Sequence, residues 1–325
     1  MSMRFTTILL IAIICLGGLQ TAVEMDPSSP ATVFLIPCSE YYTTHEPISI
    51  DSDQDFVDNG FSGNGSLNSP YIIEGLNITS SIFMGSAISV RDTYAHFVIR
   101  DCYILSAYIG ILVVDAASGT GSIENNTCLS SSGDGGGISV GMDNCTISRN
   151  RCMNWGQGIH LNDASRCLIS SNNISDSTYQ GINIRYSDNN TISGNRILNS
   201  SQHGLLFVGT SSFNVAYNNT FIENGNVAMY NIDGERTGNL ISQGYDEGSN
   251  NVWHDIETET GNLWSDYSGN GSYAIDGPAN NVDLYPIKYQ PFQDNSDTII
   301  TIILIASISA LAVILVLIGY RRLNK

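Results

Sequence analysis

Gly181-Ile182-Asn183-Ile184-Arg185-Tyr186-Ser187-Asp188-Asn189-Asn190-Thr191-Ile192-Ser193-Gly194-Asn195-Arg196-Ile197 is one copy of a unit to which the chain keeps returning. Its opening pair recurs as Gly110-Ile111, Gly137-Ile138, Gly158-Ile159 and Gly204-Leu205, preceded by Ala87-Ile88, with starts 23, 27, 21, 23 and 23 residues apart. A period of this length predicts a stacked solenoid whose units bury their apolar faces only against one another. A second signal fixes the register. An apolar residue is followed three positions later by Asn at Ile123/Asn126, Ile147/Asn150, Ile169/Asn172, Ile192/Asn195 and Val215/Asn218.

Two solenoids compete for the pattern, since Cys167-x-Ile169-x-x-Asn172-x-Ile174 also satisfies the core of a leucine-rich repeat. That repeat needs Leu three positions earlier, where this chain has Met142, Ala164, Ser187 and Thr210, and a helical return, where it has Ser, Asp and Asn turns. Gly181 to Arg185 reads instead as a second period-two run. Three short strands per turn, joined by polar corners, describe an all-β, right-handed parallel β-helix. Its columns stack about 4.8 Å apart, so Asn126, Asn150, Asn172, Asn195 and Asn218 are expected to form a buried, structural amide ladder.

The ends of the chain predict an address. Arg4, the apolar stretch Ile8 to Leu16 and small residues to Ala22 have the layout of a secretory signal peptide. Thr298 to Tyr320 is an uncharged stretch of 23 residues, long enough to span a bilayer, and Arg321, Arg322 and Lys325 behind it keep the tail cytoplasmic. The expected organisation is a signal peptide (1–22), an N-terminal capping segment (23–71), β-helix repeats (72–252), a closing module and stalk (253–297), a membrane helix (298–320) and a tail (321–325). The protein then sits in the cell membrane by a single pass, solenoid outside.

Charge agrees with that address. All 31 acidic residues lie between the two apolar ends with nine basic ones, a net −22, which repels nucleic acid and anionic headgroups. Asn-x-Ser/Thr sequons make Asn64, Asn77, Asn125, Asn144, Asn173, Asn189, Asn199 and Asn270 candidates for glycosylation. A ninth, at Asn218, is expected to be inert because Asn218 belongs to the ladder. Of the cysteines, Cys128 over Cys152 and Cys145 over Cys167 fall in matching columns of adjacent rungs. Parallel side chains one rung apart are spaced slightly beyond the disulfide range, so Cys38, Cys102, Cys128, Cys145, Cys152 and Cys167 read as small core residues, with bridges as the alternative.

Both flanks of the repeats resemble a known family. His45-Glu46-Pro47-Ile48-Ser49-Ile50, Asp55-Phe56, Gly63-Asn64-Gly65, Pro70-Tyr71-Ile72-Ile73-Glu74-Gly75 and Phe97-Val98-Ile99-Arg100-Asp101-Cys102 look like the opening of archaeal surface proteins with a NosD-type β-helix domain, a pectate-lyase-like solenoid. Gly261-Asn262-Leu263-Trp264-Ser265-Asp266-Tyr267, Ile275-Asp276-Gly277 and Asp283-x-Tyr285-Pro286 look like their closing module. The resemblance implies either copper delivery or the carbohydrate-binding and sugar-hydrolase activities grouped with such solenoids. Fold alone transfers neither.

The residues decide among these. Copper needs clustered imidazole, thioether or thiolate ligands, whereas His45, His96, His160, His203 and His254 are dispersed, so no metal or other cofactor is expected. Sugar hydrolysis needs paired carboxylates, and Asp92 and Asp115 are the only acids stacked in register; Asp just after a strand is also ordinary turn chemistry. The outward column of the first strand runs Ser89, Leu112, Ser139, His160, Asn183 and Leu206, with Arg91, Asn162 and Arg185 two residues further on. His160, Asn162, Asn183 and Arg185 are thus the candidate binding patch, and Trp155, Trp253, Trp264, Tyr267, Tyr273 and Tyr285 are aromatics for sugar stacking or for sealing the solenoid. The reading is a non-catalytic module that binds carbohydrate or a surface-layer protein, with a polysaccharide lyase or glycoside hydrolase as the alternative and a copper-handling accessory protein as a minor one.

Overall fold

A computed structural model describes residues 20–23, 33–36, 42–82, 84–225, 229–230, 236–238 and 242–290 of the chain. Most of the expected signal peptide, the whole expected membrane helix and tail, and Cys38 lie outside these residues. Among the described residues no helix is long and apolar enough to cross a membrane. Gln20–Val23 and Val33–Ile36 pair antiparallel within a unit distinct from the solenoid, which runs from Ser39 to Tyr289.

Three parallel sheets of eight, seven and ten strands build the solenoid, each rung giving one strand to each. Gln157–Asn162, Leu168–Ser170 and Asn173–Ser175 are one rung's contribution, paired in register to the next through Ile159 with Ile182, Ile169 with Ile192 and Ile174 with Ile197. All six isoleucines are fully buried. The Gly-Ile pair has a steric cause. A Cβ on Gly181 would lie 2.3 Å from Ile197 Cγ2 and 2.7 Å from the Gly204 carbonyl oxygen, and one on Gly158 would meet Ile174 and Gly181 at the same distances. Only glycine fits where the ten-stranded sheet's apolar side chains cross beneath the first strand.

Corners use the left-handed backbone region, where Asn and Asp are the least strained side chains. One corner column holds Asp101, Asn125, Arg149, Ser171 and Asn218, with φ between 53 and 58°. Immediately after it runs the amide ladder. Asn126, Asn150, Asn172, Asn195, Asn219 and Asn262 each donate Nδ2 to the Oδ1 of the next at 2.9–3.1 Å, as far as Asn262. The same Oδ1 accepts the preceding residue's backbone N–H, and each Nδ2 also donates to an inner-strand carbonyl. All four capacities of each interior amide are therefore filled.

Asn218 is not in this ladder. It is an exposed corner residue, and Asn219 takes the rung position while Ala216, not Val215, faces inward opposite Ile192. The interior there is already filled by Phe207, Phe221, Trp253 and Trp264, so the small side chain goes inside.

The other two corners carry ladders of their own. Asn190, Asn214 and Asn251 form one, led by the thiols of Cys145 and Cys167. Asn224 and Gln243 form another. Each of the three ends on a carboxylate that also takes an aromatic donor, Asp246 in the last strand of the eight-stranded sheet and the other two in the closing module: Asp283 from Asn262 and the Trp264 indole, Asp246 from Asn251 and the Trp253 indole, Asp266 from Gln243 and the Tyr273 hydroxyl. The far end is closed by the helix Asp53–Asp58, whose buried Phe56 stacks on Tyr71 and Phe97 at 4.8 and 5.8 Å.

Candidate functional site

The outer face of the eight-stranded sheet carries the residues singled out from the sequence. Strands Gln157–Asn162 and Ile182–Arg185 place His160 beside Asn183 and Asn162 beside Arg185, about 4.8 Å apart. The four are therefore neighbours on one face. Their exposure is not uniform, and this corrects the expectation of an open polar patch. Asn183 points outward between Ile182 and Ile184 yet retains only 7% of its surface, and its Oδ1, like His160 Nε2, is shielded with no hydrogen-bond partner. Burial, and then the positive charge of Arg185, holds the His160 imidazole below its usual pKa. His160 is thus a neutral residue lining the floor.

Accessible groups lie along the edge of that floor. Arg185 is exposed, and its guanidinium lies over the Tyr186 ring, 4.8 Å from the centroid. It also donates to the Tyr186 hydroxyl at 3.3 Å and has no carboxylate partner among the described residues. On the seven-stranded side, by contrast, arginines are held by acids: Arg100 by Glu74, Arg149 by Glu124 and Arg166 by Asp143. Asn162 sits half-buried one rung away, its amide donating to exposed Asp163. On the opposite edge Gln157, Gln180 and Gln202 form a short amide row.

Tyr186 was missed as a site residue. It follows the polar strand at a corner with φ 49°, in a column otherwise holding Asp92, Asp115 and Asp163, and a bulky side chain there is strained. Its ring rests on Gly209, where a Cβ would come within 2.5 Å of it. The signal was present in the sequence as an aromatic residue in a column of aspartates, followed one rung later by glycine.

The remaining candidates fall elsewhere. Asp92 and Asp115 are exposed left-handed corner residues. Trp155, Trp253 and Trp264 are fully buried, the first donating its indole N–H to the Cys128 carbonyl, so they fill the interior and offer no sugar platform. Tyr273 stacks on Trp264 at 4.1 Å and Tyr267 packs edge-on against it, sealing the end. Cys102, Cys128, Cys145, Cys152 and Cys167 are free thiols. Burial pushes Cys102 up to about 12 and Cys167 up to about 11, far from the thiolate that nucleophilic or ligand chemistry requires.

Comparison with known proteins gives a family match over residues 47–269, to the periplasmic copper-binding protein NosD. No curated protein matches the chain. Among solved structures, DFA-IIIase from Arthrobacter chlorophenolicus A6 in complex with DFA-III is 14% identical, with a TM-score of 0.42 over 60% of this chain and 47% of its own, so the chain spans about half its length. Alginate lyase from Paenibacillus sp. str. FPU-7 is also 14% identical, with a TM-score of 0.48 over 76% of this chain and 96% of its own. Tailspike protein 2 of bacteriophage CBA120 is 10% identical, with a TM-score of 0.37 over 81% of this chain and 41% of its own.

Proposed function

We propose, from the premise that the chain belongs to the NosD family, that this solenoid is a non-catalytic carbohydrate-binding module held at the outer surface of the cell membrane. Copper does not fit the residues present. Among the described residues no three His, Cys, Asp or Glu side chains come together as a metal-binding group, and the cysteines are buried thiols.

One observation carries the binding reading. Arg185 is an exposed cation without an acid partner among the described residues of an acidic chain, and it is aligned on the half-exposed ring of Tyr186 beside Asn162. A guanidinium fork recognises a sugar carboxylate or a pair of vicinal hydroxyls, an aromatic ring takes the apolar face of a pyranose, and the rung spacing repeats along an extended chain. Purified protein on a glycan array, followed by titration of each hit, tests this. Arg185→Gln and Tyr186→Ala should each weaken binding about tenfold or more, about 1.4 kcal/mol, with the melting temperature unchanged. Wild-type protein that retains no glycan, or variants that bind like wild type, would sink it.

The enzymatic alternative rests on Asp92 and Asp115. Cleavage of a bound polysaccharide that is lost in Asp92→Asn with Asp115→Asn would put a hydrolase or lyase in place of the binding module. The address is tested by protease added to intact cells: degradation of the solenoid fits an exterior domain anchored by residues 298–320, and protection rejects it.

A further inference from the structure

Four sequons share one local geometry. In Asn125-Asn126-Thr127, Asn144-Cys145-Thr146, Asn189-Asn190-Thr191 and Asn218-Asn219-Thr220 the first residue is an exposed corner in the left-handed region, with φ 53, 55, 58 and 55°. The second is buried in a ladder column and the third opens the next strand, half-buried on its outer side. The corner favours Asn, the ladder needs an inward polar or small residue, and the strand favours Thr, so the fold itself writes the motif.

Their amides are not equally free. Asn125 Nδ2 donates to Asp101 at 2.6 Å and Asn144 Nδ2 to Ser118 at 2.5 Å. Asn189 and Asn218 have no side-chain hydrogen bond among the described residues, and neither has Asn270, exposed in the closing module. Asn173 is the opposite case. It lies within the strand Asn173–Ser175, half-buried, with its Oδ1 shielded and unpartnered. No sequon falls in a strand of the eight-stranded sheet, and the corners bearing Asn189 and Asn218 flank the seven-stranded sheet on its two sides.

We infer that Asn189, Asn218 and Asn270 are acceptors for Asn-linked glycans and that Asn173 stays bare, so that sugar borders the seven-stranded sheet. The donor is an oligosaccharide linked through phosphate to a lipid. Asn Nδ2 forms a C–N bond to the anomeric carbon, the C–O bond to phosphate breaks, the lipid phosphate departs with the electron pair, and the amide loses one proton. No oxidation state changes. The inference rests on the exterior address proposed above, not on the binding face.

The experiment is peptide mass spectrometry on the full chain isolated from its own cells, with surface protease accessibility measured on the same cells. Glycan mass on the peptides containing Asn189, Asn218 and Asn270, and none on that containing Asn173, is the expected result. Asn189→Asp with Asn218→Asp, which keep side chains the left-handed corners tolerate, should remove two glycan increments and leave the melting temperature unchanged. Occupancy at Asn173, or bare Asn189 and Asn218 on a surface-accessible chain, overturns the inference and leaves the address standing. A bare chain that is also protected from protease overturns both.

Discussion

At the scale of single residues, one pair of neighbours separates the inside of the solenoid from its surface. Asn195→Leu should cost roughly 1 to 3 kcal/mol in urea unfolding, because the Asn172 amide loses its acceptor and Asn219 Oδ1 its side-chain donor, keeping only the backbone N–H of residue 195, in a dry interior. Asn218→Gly, which leaves the left-handed corner unstrained at an exposed site, should cost under about 0.5 kcal/mol. Equal losses would reject the ladder assignment. The first four ladder asparagines were legible in the sequence because inward Ile stands three residues before each of them. Asn219 was not, since Asn218-Asn219 satisfies the spacing from either Val215 or Ala216, and only the filled interior chooses between them. His160 shows a second limit: alternation gives the direction of a side chain, but neighbours decide how much water reaches it. Its lowered pKa means that the unfolded chain binds its proton first, so the stability it permits is complete above about pH 6.5 and declines as pH falls below that. His160→Gln should flatten this acid slope in melts between pH 5 and 7; an unchanged slope would show that other groups set it.

At the scale of elements, the ladders explain the closing module. The interior asparagines need an acceptor ahead of them, and the last rung must supply one without asking for another in turn. A carboxylate does this, and an amide does not. Asp283 accepts through both oxygens, from Asn262 and Trp264 on one and the Tyr285 N–H on the other, so either orientation of an introduced amide sets donor against donor. Asp283→Asn is therefore expected to cost roughly 1 to 3 kcal/mol and to strip hydrogen-exchange protection from residues 261–289 before the central rungs. Uniform loss along the chain would show that the module is not a local stop. The Trp-Ser-Asp-Tyr motif was readable as a flank, but its work was hidden, because the acceptors Asp246, Asp266 and Asp283 lie beyond the insertion at 225–243 that breaks the repeat count.

At the scale of the molecule, each rung contacts chiefly its two neighbours, which makes whole rungs interchangeable in a way that single residues are not. Deleting residues 182–204 joins Gly181 to Leu205, restores the Gly-Leu junction and sets Asn172 before Asn219. That variant should fold, with a cooperative melt and parallel-sheet circular dichroism, while losing the glycan binding proposed above for Arg185 and Tyr186. Deleting Thr191 alone, the first residue of the strand Thr191–Ser193, shifts that strand's inward Ile192 to the outside and should yield no cooperative transition. A folded single deletion with an unfolded rung deletion would contradict the columnar reading. The one-way ladders also bear on how such a protein is made. Synthesis delivers the amino end first, yet every ladder amide donates to the amide of the next rung toward the carboxyl end. A half-emerged chain therefore ends, at each moment, in a fresh row of unmet N–H groups that invites the next rung or a stray strand. Only the arrival of three aspartates among the last residues of the solenoid silences that growing tip, so a ribosome stalled short of Asp246 would release a template for aggregation, not a shorter version of the same protein.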